Sequence, residues 1–148
     1  MYKALTVAKW FVAWAETNDA HLSNLKLQKL LYYAQGFHLA MYRKPLFSDA
    51  LQAWSHGPVV PDVYHYFKHI GSDSIELEES DDFDWPDVDE KTTQFLISIW
   101  EQYGSIAAWQ LRNMTHEEGP WRDHFEDGAH SVVIPNSSLE KFFLQRVG

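Results

Sequence analysis

The sequence contains no cysteine among its 148 residues. Disulfide bonds, thiolate metal sites and cysteine nucleophiles are therefore excluded, and a chain without thiols suits the reducing cytoplasm in which we expect this protein. No stretch is long and apolar enough to span a bilayer. The apolar run near the N-terminus is interrupted by Lys9 and followed by Glu16. This pattern favours an amphipathic helix over a signal peptide, so we expect no membrane partner.

Several functional motifs are also missing, and basic charge is scarce. There is no glycine-rich phosphate loop, nucleophile elbow or dinucleotide fingerprint. The chain has 12 Lys+Arg against 21 Asp+Glu, a net charge of −9. Residues 75–90 carry nine of these acids and no base, which leaves 12 acids against 12 bases in the rest. Phosphate binding needs clustered basic charge, so we expect no nucleic-acid partner.

The length suits one domain, and a content of 45% apolar and 16% aromatic residues argues against disorder. Short extended segments are predicted within 46–54 and at 131–134. Apolar spacing and capping residues predict helices at about 6–17, 23–41, 62–70, 90–103, 105–114, 121–126 and 138–145. Thr6, Asp89 and Ser105 are predicted caps, and Tyr66 is predicted to face inward on the helix at 62–70. We therefore predict a mainly α, compact single-domain bundle (1–148) of six or seven helices. It should have at most a small two-stranded β element and an acidic surface loop at 75–90.

The helix at 23–41 is the centre of this prediction, with Ser23 as its N-cap. Its wide apolar arc is typical of a helix packed on most of its surface, and it comprises Leu27, Leu30, Ala34, Phe37 and Met41. Lys26 falls inside the arc, so its ammonium should either reach water along the core or meet a carboxylate. It is either a lysine that reaches water near a helix end or a fixed charge held for a partner. Gln28, Lys29 and Tyr32 are predicted on an exposed stripe.

Two rigid turns follow the central helix in the sequence. The first, at 53–61, has two prolines and a glycine in five residues, which excludes a helix interior. It is either a structural corner or a preformed loop that presents His56 beside Trp54. The second turn lies at 118–121 and carries Trp121. Exposed aromatic and cationic residues beside rigid turns are typical anchors of protein–protein interfaces.

Eight histidines raise a metal site as an alternative. His65 and His69 are spaced i, i+4 on a predicted helix, and with His116 they would serve a metal-dependent hydrolase. The zinc-protease pattern is incomplete, because Tyr66 stands where a glutamate is needed. We predict no metal, cofactor or catalytic residue. A further alternative is that the acidic segment imitates the phosphates of a nucleic acid.

Three blocks, residues 25–36, 53–64 and 115–121, stand in an order and spacing that resemble the Panacea domain. This is the SocA-like and GepA-like family of bacterial and prophage antitoxins. The resemblance covers nearly the whole chain. The third block departs from the family pattern at Thr115, where serine is common, and at Gly119, which stands as an extra residue before Pro120.

The resemblance implies a non-enzymatic protein that is encoded beside a toxin and neutralises it by direct binding. Family members accept very different toxins, so the domain does not name the partner. One branch hands its toxin to the ClpXP protease, and that role is left open for this chain. Some relatives carry an added DNA-binding segment, for which we expect no room here.

Within the three blocks we expect the partner-binding residues to be the polar and aromatic side chains near the rigid turns. They are Lys26, Gln28, Lys29, Tyr32, Trp54, His56, Tyr64, His116 and Trp121.

Overall fold

The computed structural model describes residues 1–128 and 132–147, and it is mainly α-helical. Its α-helices in these ranges are α1 (Ala4–Thr17), α2 (Asn24–Tyr42), α3 (Pro61–Phe67), α4 (Glu90–Tyr103), α5 (Ala108–Glu117), α6 (Gly119–Arg122) and α7 (Asn136–Val147). Short 3₁₀ turns cover 68–70, 79–81 and 85–87. The predicted mainly α fold is confirmed. No helix in the described ranges has the length and apolarity needed to cross a membrane.

Helix α2 is buried on all sides and organises the rest of the structure. Ser23 Oγ accepts a hydrogen bond from the Lys26 amide at 3.3 Å, which confirms the predicted N-cap. Every residue from 27 to 36 is buried. Helices α1, α3, α4, α5 and α7 and strand β2 (Gly57–Val59) pack around it. Met41, which was predicted in the apolar arc, is instead 51% exposed in the last turn.

Glycine at position 36 allows α7 to approach α2 closely. A Cβ atom built at Gly36 would lie 2.1 Å from Cε2 of Phe143, far inside van der Waals contact. The Phe143 ring in turn packs on Phe37, with ring centroids 4.8 Å apart, and on Tyr32 at 5.4 Å. The absence of one side chain on α2 therefore makes room for a core aromatic of α7.

A three-stranded antiparallel sheet lies beside α2, one strand more than predicted. Strand β1 (Leu51–Trp54) pairs with β2 and with β3 (Val133–Ile134), in the order β2-β1-β3. The turn between β1 and β2 leads into Gly57, whose φ of +118° suits glycine. Ser131, at the start of the predicted strand, lies outside the described residues.

Helices α1 and α5 begin at other residues than predicted. The cap of α1 comes from a residue distant in sequence, and the cap of α5 comes from a later residue of its own first turn. Helix α1 begins at Ala4, before the predicted cap Thr6, and the Ala4 amide donates to Asp49 Oδ1 at 2.9 Å. Helix α5 begins at Ala108 rather than after Ser105. Its Ala107 amide donates to Gln110 Oε1 at 3.4 Å.

The acidic segment 75–90 packs against α1. Ile75 and Val88 are buried, and Trp85 makes an edge contact with Trp10 at 6.3 Å between ring centroids. Asp89 Oδ1 accepts from the Thr92 amide at 2.8 Å, which confirms the predicted cap of α4. Tyr66, predicted to face inward, is exposed, because its hydroxyl donates to a carboxylate of this segment, that of Asp81.

Candidate partner-binding site

The predicted exposed stripe on α2 is not exposed. Gln28, Lys29 and Tyr32 each have 0% of their surface accessible, so the prediction of their exposure is wrong. The face they occupy is covered by the bend at 57–60 and by Glu118, at the junction of α5 and α6. Whether these residues affect partner binding stays a prediction, and any such effect must pass through the groups that cover them.

Gln28 joins α2 to the bend at 57–60. Its Oε1 accepts from the Val60 amide at 2.9 Å, and its Nε2 donates to Asn24 Oδ1 at 2.9 Å. Asn24 Nδ2 donates in turn to the Tyr64 carbonyl at 3.0 Å. Buried main-chain groups need hydrogen-bond partners. The side-chain amides of Gln28 and Asn24 supply such partners to the main chain at Val60 and Tyr64.

Lys29 is the most deeply buried cation in the described residues. Its Nζ donates to the Pro58 carbonyl at 3.4 Å. Burial, and to a lesser degree the positive charge of Arg112, lowers the pKa of Lys29 to about 7. A Cβ at Gly57 would lie 2.5 Å from Lys29 Cε, so this turn requires glycine both for its backbone conformation and for the lysine beneath it.

Glu118 is a buried residue to which the sequence analysis gave no role. Its carboxylate accepts from the hydroxyl groups of Tyr32 at 2.9 Å and Tyr33 at 3.0 Å. Arg146 Nη2 lies 3.5 Å from the same carboxylate. Burial raises the pKa of Glu118, while the tyrosine hydrogen bonds and Arg146 act in the opposite direction. Tyr32 and Glu118 are 86 residues apart, so helical spacing could not reveal the pair.

The aromatic residues of the two rigid turns form one continuous cluster. The Trp54 ring lies 5.8 Å from His56 and 5.2 Å from Tyr64, measured between centroids. Trp121 Nε1 donates to the Trp54 carbonyl at 2.7 Å, and His116 stacks on Trp121 at 3.8 Å. Burial lowers the pKa of His116 to about 4, and Arg112 adds to this, so the stacked imidazole is neutral at pH 7.

The histidines named for a metal site do not come together. His65 contacts the Trp54 ring, whereas His116 stacks on Trp121. Across 1–128 and 132–147, no group of three or more histidine or carboxylate side chains is placed to hold a metal ion. The alternative of a metal-dependent hydrolase therefore has no geometric support in the described part of the chain.

A surface groove of about 630 Å³ lies where the start of α2, the end of α3 and the start of α5 meet. We call it the α2–α5 groove. Its lining includes three predicted partner-binding residues, Lys26, His56 and Tyr64, together with Lys68 and Ala108, which the sequence analysis missed. Lys26 is only 8% exposed, and its ammonium donates to the Gly104 carbonyl. Its ammonium therefore bonds to a main-chain carbonyl rather than to a carboxylate, and its role in partner binding stays a prediction.

Trp109 follows Ala108 in the first turn of α5 and is 63% exposed. The structure divides the predicted residues into three groups. Lys26, His56 and Tyr64 line the groove, whereas Gln28, Lys29 and Tyr32 are fully buried. Trp54, His116 and Trp121 belong to the aromatic cluster of the two rigid turns.

Comparison with known proteins identifies the class to which this arrangement belongs. Residues 27–122, more than half of the chain, match the family described as "Antitoxin SocA-like, Panacea domain". The chain belongs to this family, which confirms the resemblance drawn from the three sequence blocks. It is 32% identical to Antitoxin SocA of Caulobacter vibrioides over 127 residues, which cover 80% of this chain and 68% of that relative. No solved structure matches it.

Proposed function

We propose that this protein is an antitoxin that neutralises a cognate protein toxin, encoded nearby, by direct protein–protein binding. Membership of the SocA-like Panacea family is the observation that carries the proposal. In this proposal the protein acts in the cytoplasm, performs no catalysis, and uses residues 1–148 as a single domain.

The arrangement around the α2–α5 groove supports this function. Exposed tryptophan beside a concave surface is typical of interface hot spots, and Trp109 stands at this place. His56, in the turn between β1 and β2, and Tyr64, on α3, line the groove. Gln28 and Asn24 hold the segment that joins them by hydrogen bonds with Val60 and Tyr64. A surface held in one conformation before binding loses less conformational entropy when a partner docks.

The test is co-expression with the product of the adjacent reading frame, followed by a binding measurement on the purified pair. Trp109→Ala and His56→Ala should weaken binding about tenfold or more, the effect expected of a hot spot. Thermal stability should change little for Trp109→Ala, because the side chain is mostly exposed.

Met41→Ala is the matched control for this experiment. Met41 is also exposed and apolar, but it lies near the C-terminal end of α2, whereas the groove lies at the N-terminal end. It should bind the toxin as tightly as the wild type. If Trp109→Ala and His56→Ala also bind and rescue as well as the wild type, the groove is not the contact surface.

Delivery of the toxin to the ClpXP protease stays a prediction that rests on the family resemblance alone. It is tested by following degradation of the purified toxin by ClpXP. Degradation that depends on added antitoxin would support the adaptor role, and a toxin half-life unchanged by the antitoxin would contradict it.

A further inference from the structure

We propose that the α2–α5 groove binds an acidic segment of the partner toxin, in which carboxylates accompany an apolar side chain. This inference rests on the proposed function and names the chemistry that its surface recognises. The charged and titratable side chains that line the groove are Lys26, Lys68, His21 and His56, with no carboxylate among them. The protein has a net charge of −9, so the charge of this lining is opposite in sign to that of the protein as a whole.

Four other surface cavities show the contrast. Each of them includes at least one carboxylate, such as Asp89 beside Tyr2, Asp81 beside Tyr66, Glu90 beside Trp85, or Asp123 beside Pro120. An acidic segment that approached the cavities around Asp81 and Glu90 would meet carboxylates without a lysine. The cavities around Asp89 and Asp123 are mixed, because the first also carries Lys44 and Lys91 and the second Lys141. The α2–α5 groove has basic side chains and no carboxylate in its lining. Such complementarity to an acidic segment both steers association and suppresses binding in the wrong place.

The helices that meet at the groove add to its positive potential. Helix α2 has 19 residues and α5 has 10, and the first residues of both, Asn24 and Ala108, line the groove. Helix N-termini carry partial positive charge, which favours a nearby carboxylate. This contribution supplements Lys68, which is the exposed lysine of the groove, and Lys26, whose largely buried ammonium donates to the Gly104 carbonyl.

The groove also has an apolar part, which selects a peptide over a simple anion. Leu25, Tyr64 and the two alanines at 107 and 108 line it, and Trp109 is the next residue. A segment that combines acidic and apolar side chains would satisfy both parts of the lining. A nucleic acid is a poorer fit, because its phosphates would also approach the rest of a protein whose net charge is −9 and would be repelled by it.

A second copy of this chain is a weaker candidate for the occupant, although its acidic segment 75–90 has suitable charge. Ile75 and Val88 anchor that segment in the core of its own chain. If the segment of one copy docked in the groove of the next, the contact would be head-to-tail. Such contacts build open filaments of many copies, unless the rotation between copies closes them into a ring.

The decisive variant is Ala108→Glu, measured with the full chain and the purified toxin by titration calorimetry. It places a carboxylate in the groove at the first turn of α5, where negative charge favours the helix, so folding should be retained. We expect toxin affinity to fall about tenfold or more at low salt, as like charge across an interface requires. Lys68→Glu should have a similar effect.

Lys141→Glu is the matched control for Lys68→Glu, because it makes the same charge change on α7, at a cavity on another part of the surface. Its toxin affinity should equal that of the wild type. A toxin variant in which one acidic residue becomes lysine should restore binding to Lys68→Glu, and selection of such suppressors would identify the acidic segment.

The outcomes separate this inference from the proposed function. If the wild type binds the toxin and Ala108→Glu and Lys68→Glu bind it equally well, the groove inference is overturned and the antitoxin proposal stands. If the wild type does not bind the toxin, both are overturned. If the wild type self-associates and Lys68→Glu does not, the occupant of the groove is a second copy of this chain. If the wild type binds a labelled single-stranded oligonucleotide and Lys68→Glu does not, the occupant is a nucleic acid. Either result would overturn the inference.

Discussion

At the scale of single residues, Lys29 and Glu118 are buried ionisable groups with very different surroundings. The Glu118 carboxylate accepts two tyrosine hydroxyl groups and lies near Arg146, so its negative charge is compensated. The Lys29 ammonium has one long hydrogen bond, to the Pro58 carbonyl, and the nearby Arg112 repels it. Charge on Lys29 is therefore a cost to the folded state, which deprotonation relieves.

Replacing Lys29 by methionine should change how stability depends on pH. The folded-state pKa of Lys29 is about 7, against 10.5 for an unperturbed lysine. Between these values the unfolded chain binds more protons, so the wild type gains stability as pH rises. Relative to Lys29→Met, its free energy of unfolding should increase by about 1 kcal/mol per pH unit above pH 7 and be flat below it.

Urea denaturation of both proteins from pH 6 to pH 9 measures this difference directly. Methionine keeps the length and the apolar stem of the side chain, so a cavity should contribute little to the difference in free energy of unfolding between the two proteins. Parallel stability profiles for the two proteins over this range would show that Lys29 keeps its ordinary pKa in the folded state.

At the scale of elements, the contact between α2 and α7 depends on a missing side chain. Gly36 lies against the Phe143 ring, and a Cβ there would overlap ring atoms at 2.1–2.8 Å. The ring is fully buried, so it has no free space into which to retreat. Glycine in a helix interior normally costs stability, and here close packing compensates for that cost.

Gly36→Ala should lower the free energy of unfolding by about 1–3 kcal/mol, the usual cost of overpacking a core. In a Phe143→Ala background, which by itself costs about 3–5 kcal/mol, the same change should be neutral or stabilising, because alanine is the better helix former. Chemical denaturation of the four proteins gives the coupling energy. Additive effects of the two substitutions would contradict the proposed steric contact.

At the scale of the whole molecule, the net charge of −9 comes from the acidic segment 75–90. Four of its nine acids accept backbone amides, three within the turns of the segment and one at the start of α4. Asp81 accepts from Glu78 N at 2.7 Å, Asp84 from Trp85 N at 3.0 Å, Asp87 from Asp84 N at 3.0 Å, and Asp89 from Thr92 N at 2.8 Å. These capping roles explain part of the acidic composition without imitation of a nucleic acid.

The triple variant Glu76→Gln, Glu79→Gln, Asp82→Asn should retain both stability and toxin neutralisation. These three residues are exposed, and asparagine suits the φ of +51° at position 82. Asp89→Ala is the contrasting variant, and it should lose about 1 kcal/mol of stability with the cap of α4. Co-expression with the toxin and thermal unfolding check both, and loss of rescue in the triple variant would favour the nucleic-acid mimic.

Across these scales, features that depend on near neighbours were predicted correctly. Ser23 and Asp89 cap α2 and α4 as expected, because each accepts from an amide three residues ahead. The cap of α5 was wrong although its bond is local, since the Ala107 amide donates to Gln110 Oε1 three residues ahead. The cap of α1 was wrong for another reason. Thr6 was predicted to begin α1, but the helix starts at Ala4, whose amide bonds to Asp49, 45 residues away. Strand β3 joins β1 from about 80 residues further along the chain.

The sequence by itself determined the approximate helices, the acidic segment and the lack of thiol chemistry, since each follows from local spacing or composition. It also determined the family, through the resemblance of three blocks to the Panacea domain. Only the tertiary structure decided which polar side chains are buried. Periodicity assigned Gln28, Lys29 and Tyr32 to one face of α2, but their partners Val60, Pro58 and Glu118 are 29 to 86 residues away. A polar face is buried when distant groups satisfy its hydrogen bonds, and those groups meet it only in the folded chain.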